Sequence, residues 1–367
     1  AFTLLASGYL TNELVAYDIS GEYWLDQAGT TGGGNPDNAV GGELGVGRYH
    51  EHARNRLKIS VFSLGLKGHT SINNHNLTYG VEFKHQTIME RSREWELRDS
   101  AGYTLPSDGQ HIRMIYNLSS RHDLSTNRLA FYAADSYRLK TSAGYFAFNG
   151  GLRFSYWDFN KEFLVSPRLN VAFVPERYNA MTFRFATGLY YQQPFYKEFR
   201  RPVEDEYGNT SILLNSSVKS QQSLHFILGG DYTFRMFDRP FKLSAEGYYK
   251  KLDRLIPYEI DNLKIVYQGV NSTNGYTTGL DLKLFGQFVP GTDSWISFSV
   301  MKTAENLNGV TVPRPTDQRY SLAVFFTDYF PKFPKLKFSL RGIFSDGLPT
   351  TAPHSSRDKG YFRAPAY

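Results

Sequence analysis

Between Leu224 and Val300, apolar and polar side chains alternate one by one, a rule few folds sustain for so long. Leu224, Phe226, Leu228, Tyr232, Phe234 and Met236 interleave with His225, Asp231, Thr233 and Arg235. After Phe237-Asp238-Arg239-Pro240 the pattern resumes, with Phe241, Leu243, Ala245, Gly247 and Tyr249 against Lys242, Ser244, Glu246, Tyr248 and Lys250. Leu280, Leu282 and Leu284 then alternate with Asp281 and Lys283, and Ile296, Phe298 and Val300 with Ser297 and Ser299. Period two is the signature of a strand with two unlike faces. The runs reach about ten residues or more, against a usual strand of about five or six. An all-β fold of the antiparallel transmembrane β-barrel type accounts for both features: apolar positions face lipid and polar ones a wet lumen.

The same alternation recurs along the chain. Val15, Tyr17, Ile19 and Tyr23 oppose Asp18, Ser20 and Glu22 in a first strand. A glycine-rich loop, Gly29 to Gly47, leads to Leu57, Ile59 and Val61, where the phase slips near Phe62 and Leu64 as a bulge would cause. Leu77 to Phe83 and Leu129 to Leu139 follow, separated by a long polar segment from about Arg93 to Thr126. Phe146 to Tyr156, Leu169 to Phe173, Met181 to Tyr191, Tyr320 to Phe326 and Leu336 to Leu340 complete a set of roughly thirteen strands. Brief turns near residues 69–75, 140–144, 175–180, 237–240, 290–294 and 330–335 alternate with longer loops near 27–53, 93–125, 193–221, 254–274 and 306–316. The link near 158–163 is the short exception. Short turns on one side and long loops on the other are the habit of outer-membrane barrels. Tyr156-Trp157 and Tyr190-Tyr191 sit at strand ends, where amphipathic rings suit a membrane interface.

Composition narrows the alternatives. Of 367 residues 16% are aromatic, and no apolar run reaches about 18 residues, so no transmembrane helix is expected. The absence of cysteine removes disulfides, thiol catalysis and cysteine metal sites together. The net charge of +6 is spread singly over polar strand positions, unlike the concentrated patch of a nucleic-acid binder. Ala1-Phe2-Thr3 opens the chain without the basic and apolar regions of a signal peptide, so such a leader was removed or the chain is an internal piece.

Several phrases resemble the barrel of TonB-dependent outer-membrane receptors. Asn149-Gly150-Gly151-Leu152-Arg153-Phe154-Ser155-Tyr156-Trp157, followed by Ser166-Pro167-Arg168-Leu169, resembles the family's mid-barrel hairpin. Phe185-Ala186-Thr187-Gly188-Leu189-Tyr190-Tyr191-Gln192-Gln193-Pro194-Phe195 is similar to the next strand and loop entry. Arg314-Pro315-Thr316-Asp317-Gln318-Arg319 resembles the entry into a late strand, and Phe362-Arg363-Ala364-Pro365-Ala366-Tyr367 the approach to the last strands. The resemblance implies a 22-stranded barrel plugged by an N-terminal domain. Residues 1–367 then form one incomplete barrel domain, its middle and later part, without plug, TonB box or terminal strands. It further implies active uptake of a nutrient or metal chelate, with lipid, TonB (through the absent plug) and a nutrient as partners, in a bacterial outer membrane. The alternatives are a passive porin or secretion channel, and a soluble all-β carbohydrate-binding protein.

No enzyme is read here. A G-x-S-x-G elbow and a phosphate loop are both absent. His50 and His52 share one strand face, but two nitrogens fall short of a zinc site, and no cofactor is expected. Arg153, Arg184, Asp231, Arg235, Glu246, Asp281, Lys283, Arg319, Lys337 and Arg341 fall on polar positions and are expected to line the lumen, in cross-strand ion pairs or against a plug. Tyr196, Lys197, Arg200, Arg201 and Tyr207 combine rings and cations in a long loop and are the expected substrate-facing set.

Overall fold

The computed structural model describes residues 1–26, 43–99, 113–261, 264–330, 333–349, 355–356 and 360–361. Most of the glycine-rich loop, part of the long polar segment and the Phe362–Tyr367 phrase lie outside the described residues. One antiparallel sheet dominates. Its path runs β1 (Phe2–Asp26), β2 (Glu43–Ile72), β3 (His75–Asp99), β4 (Arg113–Thr141), β5 (Gly144–Trp157), β6 (Glu162–Pro175) and β7 (Met181–Gln192). After β7 a short 3-10 turn, Tyr196–Phe199, leads into a hairpin of β8 (Arg200–Glu204) and β9 (Thr210–Leu214). The path continues with β10 (Gln221–Met236) and β11 (Arg239–Leu255); β12 (Tyr258–Asp261) and β13 (Lys264–Tyr267) form a separate hairpin. It ends with β14 (Thr273–Val289), β15 (Thr292–Leu307), β17 (Tyr320–Phe330) and β18 (Phe333–Ser345), while β16 (Val310–Pro313) folds back on β15. Thirteen strands therefore form the path, as the alternation predicts.

The short turns fall where expected. Phe237 and Asp238 both take positive φ, 53° and 58°, the conformation a two-residue hairpin link demands of its central residues. The long loops differ from expectation: those at 193–221, 254–274 and 306–316 carry strands of their own, β8–β9, β12–β13 and β16.

Pairing registers assign every strand two faces. The face bearing Asp231 will be called inner, because the loop after β7 folds over it. Asp231 pairs with Ser244, Ser244 with Lys283 and Lys283 with Ser297. In the other direction Asp231 pairs with Thr182, two residues from Arg184. Followed through β6, β5 and β4, the same face carries Arg153, Glu82 and Ser63. Phe226, Leu228, Leu243, Leu280, Phe298 and Phe131 stand on the outer face, each at least 39% exposed, a band with no protein cover.

The expected bulge near Phe62 does not exist. From Phe2↔Gly68 to Leu25↔Gly45 the β1–β2 register never shifts, and β2–β3 is continuous. Polarity itself changes sides. Phe62, Leu64 and Leu66 are exposed on the outer face, whereas Leu57, Ile59 and Val61 are inner. β1 to β4 span 25, 30, 25 and 29 residues, while about 9–11 cross a bilayer. Beyond the bilayer the outer face meets water and turns polar, and the inner face packs under the loop and turns apolar. Val15, Tyr17 and Ile19 are inner for the same reason, and β1 begins thirteen residues before Val15. Trp157 is a second correction. It is 1% exposed and inner, because neighbouring residues on a strand point to opposite faces; only Tyr156 of that pair faces outward.

Candidate functional site

Charged residues on the inner face form a closed hub over three adjacent strands. Asp231 on β10 accepts hydrogen bonds from Arg184 Nη1 at 2.6 Å and Ser244 Oγ at 2.6 Å, and lies 3.3 Å from Lys242 Nζ. Arg184 also reaches Glu246 at 3.8 Å. Asp281 stands directly across from Glu246, a like-charge pair. Arg153 pairs with Glu82 at 2.6 Å across the intervening β4, its guanidinium over the Tyr132 ring. Lys283 lies over Trp295 and Lys337 over Tyr329. Arg235 donates to its own turn at Asp238 O, and Arg319 pairs with Asp317 at 2.7 Å. Arg341 is exposed opposite Phe325. Along the wall from β1 to β7 lies an open cavity of about 470 Å³ whose lining includes Lys84, Arg128, Arg153 and Arg168 against the single carboxylate Glu82.

The long loop after β7 closes over this face. Its Tyr196, Phe199 and Val218 bury themselves with Ile88, Trp157 and, from the loop after β11, Ile256, and Leu57, Ile59, Leu124 and Leu214 pack around them. Three buried carboxylates anchor the polar groups. Glu90 on β3 accepts the Tyr196 hydroxyl and the Arg200 guanidinium, the latter at 2.7 Å. Glu162 accepts Ser220 N at 2.9 Å and Ser220 Oγ at 2.6 Å, with Arg254 at 3.4 Å. Glu198 accepts Phe195 N at 3.0 Å and Gln221 Nε2 at 2.9 Å. Burial pushes the Glu198 carboxyl above the usual carboxylate range, opposed by those two hydrogen bonds. Burial, reinforced by the bond to Glu90, pushes the Tyr196 phenol well up. At the far end Lys197 reaches Glu13 on β1 at 3.2 Å, six strand spacings from β7, roughly 29 Å at about 4.8 Å each. The loop also joins the wall: Thr210 pairs in parallel with Leu118, and His122 Nε2 lies 2.7 Å from Ile212 O.

The five loop residues singled out in the sequence are thus divided. Tyr196 and Arg200 are committed to Glu90, and Lys197 to Glu13. Arg201 is exposed, and Tyr207 is 88% exposed at the hairpin tip. That tip is preset: Asp205 Oδ1 accepts Tyr207 N at 2.9 Å and Asn209 N at 2.8 Å. The Asn209 contacts, aided by the Tyr207 amide, hold the Asp205 carboxyl below the usual range. Glu90, Glu162 and Glu198 have no counterpart among the expected site residues. The partners of Glu90 and Glu162 lie far away in sequence, as Tyr196 does from Glu90 at 106 residues, so no local pattern marks them, whereas Glu198 reaches back three residues to the Phe195 amide. His50 and His52 stack on Trp95 and bind Ser20 and Asp18; among the described residues no group of three metal-ligating side chains occurs.

Comparison with solved structures places this architecture. The FpvAI–pyocin S2 complex matches with a TM-score of 0.51 at 11% identity, over 92% of this chain and 44% of that one. The pyoverdine outer membrane receptor FpvA of Pseudomonas aeruginosa PAO1, bound to pyoverdine, matches with a TM-score of 0.48 at 10% identity, over 93% and 50%. The RagAB peptide transporter gives 0.46 at 12% identity, over 96% and 38%. The chain spans about half the length, or less, of these structures. No curated protein matches it. Residues 6–367 match the family described as TonB dependent receptor-like, beta-barrel, and with a thirteen-strand antiparallel path, an apolar outer band and a charged inner face, the chain belongs to that outer-membrane family.

Proposed function

We propose that the full-length protein takes up a nutrient or metal chelate across the outer membrane by an active, TonB-dependent route. The loop carries this reading. It crosses from β7 to Glu13 on β1 over the inner face, where a passive channel needs an open path. Tyr207 and Arg201 are exposed on this loop and available to an arriving substrate. The inner-face charges line the lumen, where the hub of Arg184, Asp231 and Lys242 stiffens the wall. The four-cation cavity along β1 to β7 suits an anionic group, on the substrate or on a plug domain of the full-length protein. A soluble carbohydrate-binding sandwich is disfavoured, because Phe226, Leu228 and Leu280 form an outer band with nothing packed on it.

The test is uptake by cells producing the full-length protein, with candidate nutrients supplied one at a time. Accumulation should require TonB and the inner-membrane proton gradient, and the purified receptor in a planar bilayer should show no steady conductance. Uptake that persists in cells without TonB, or a stable open conductance, would favour the passive channel instead.

A further inference from the structure

The outer face above the apolar band carries a feature that transport does not use. Arg56 on β2 pairs with Arg91 on β3, and Arg91 pairs with Arg121 on β4, so three guanidiniums stand in one row on adjacent strands. Arg54 and Arg93 face each other in the next row, and Lys58 lies one row below. All six are exposed. Like charges directly opposite one another weaken a sheet, so this arrangement costs stability unless something neutralises it. The protein supplies little: Asp18 takes Arg54, and Asp123 lies 3.8 Å from Arg121. Among the described residues, Arg56, Lys58, Arg91 and Arg93 have no acidic partner.

The position identifies the occupant. On the outer face exposed Leu14 of β1 pairs with Arg56, and exposed Met89 of β3 pairs with Lys58, so the apolar band of β1 and β3 reaches the arginine row. The arginine row stands level with Leu14 and two residues beyond Met89, roughly 7 Å along a strand rising about 3.3 Å per residue. At a tilt of about 40° this is roughly 5 Å of height on the long-loop side, within the headgroup layer of about 5–7 Å that flanks the hydrocarbon core. The cations are therefore continuous with the lipid-facing surface and stand at the level of headgroups. Arginine forks match phosphate oxygens in pairs and stay charged at any working pH. We infer that the row Arg56, Arg91 and Arg121, flanked by Lys58, Arg54 and Arg93, binds the phosphorylated headgroup of an outer-leaflet glycolipid. The inner face opposite the row is excluded as the site, since Leu57, Glu90 and His122 there are occupied by the loop.

The test uses full-length receptor in nanodiscs of phosphatidylethanolamine, with or without lipid A as a diphosphorylated glycolipid. Lipid retained through detergent exchange is quantified by native mass spectrometry, and backbone exchange is followed over 54–58, 89–93 and 119–123. Wild type should retain lipid A, with salt-sensitive affinity, and show protection of the three segments. Each cation near an anionic surface contributes about fivefold, so the R56A/R91A/R121A variant should retain it about a hundredfold less well. A control variant, K140A/R177A/K335A, removes three exposed cations elsewhere and should retain it as wild type does. Equal retention by wild type and R56A/R91A/R121A would overturn the assignment. So would equal protection in discs of phosphatidylethanolamine alone, or displacement of lipid A by inorganic phosphate, which would mark a site for the free anion. Removing three repelling charges should not unfold the strands, and the salt dependence of wild type tests the same contact without any variant.

Discussion

Glu90 is the residue on which docking of the loop most depends. It is 4% exposed and binds both the Tyr196 hydroxyl and Arg200, whose side chain is 23% exposed. Glu90→Ala leaves a buried phenol without its acceptor and a guanidinium without its counter-charge. Breaking a buried pair from one side costs about 3–5 kcal/mol. Arg200 retains some access to water, which places the expected loss nearer about 3 kcal/mol, or roughly 150-fold in the docked-to-undocked ratio. Glu90→Gln keeps an acceptor for Tyr196 and loses only the charge, and should cost about half as much. Hydrogen exchange of the full-length receptor in detergent reads this directly. Amides at 196–214 should exchange faster by about that factor in Glu90→Ala, while β10 and β11 stay protected. A double-mutant cycle with Arg200→Met should show coupling well above about 1 kcal/mol. If loop exchange in Glu90→Ala matches wild type, or if Glu90 and Arg200 prove additive, the anchor has been misidentified.

Other consequences are as definite. Phe226→Arg or Leu282→Arg should destabilise the barrel by about 2–4 kcal/mol, whereas Lys283→Leu loses only its contact with Trp295, about 0.5–1 kcal/mol; equal costs in urea unfolding would reverse the two faces. The raised Glu198 carboxyl means that the docked loop holds its proton more tightly than the free loop does. Its docking should therefore be strongest below the ordinary carboxylate range and weaken as pH rises through the folded value, a dependence that Glu198→Gln should flatten in loop exchange against pH. Asp231→Ala removes the shared acceptor of Arg184, Lys242 and Ser244 and should lower the barrel's thermal midpoint measurably; an unchanged midpoint would mean that the hub adds no stability. Tyr207→Ala should weaken substrate binding in a titration of full-length receptor without changing loop exchange, since the ring touches only solvent.

Strand identity was legible in the sequence wherever one face is an uncovered apolar band and the other carries charge. From Leu224 to Val300 that condition holds along nearly the whole strand, and period two separates the two faces as the registers do. It fails in β1 and β2, where the polarity of both faces inverts above the membrane. There a uniform rule reads the crossover at Val61 and Phe62 as a bulge. The hub of Arg184 and Asp231 was readable because strand neighbours share a face. The anchors Glu90 and Glu162 were not, because a carboxylate becomes buried only when a distant loop descends on it. Trp157 shows the same limit, an apparent interface ring that packs beneath the loop instead.

The unbroken register of β1, β2 and β3 has a mechanical consequence. A one-residue slip would exchange the faces of a whole strand, sending Arg56 and Lys58 under the loop and Ile59 into water. All the intervening ladder bonds would have to break together. This part of the wall is therefore a fixed anvil, with no sliding mode open to it at ordinary temperature. Any displacement on this face falls to the segment between Gln193 and Ser220, which can lift by releasing a few side-chain latches one at a time.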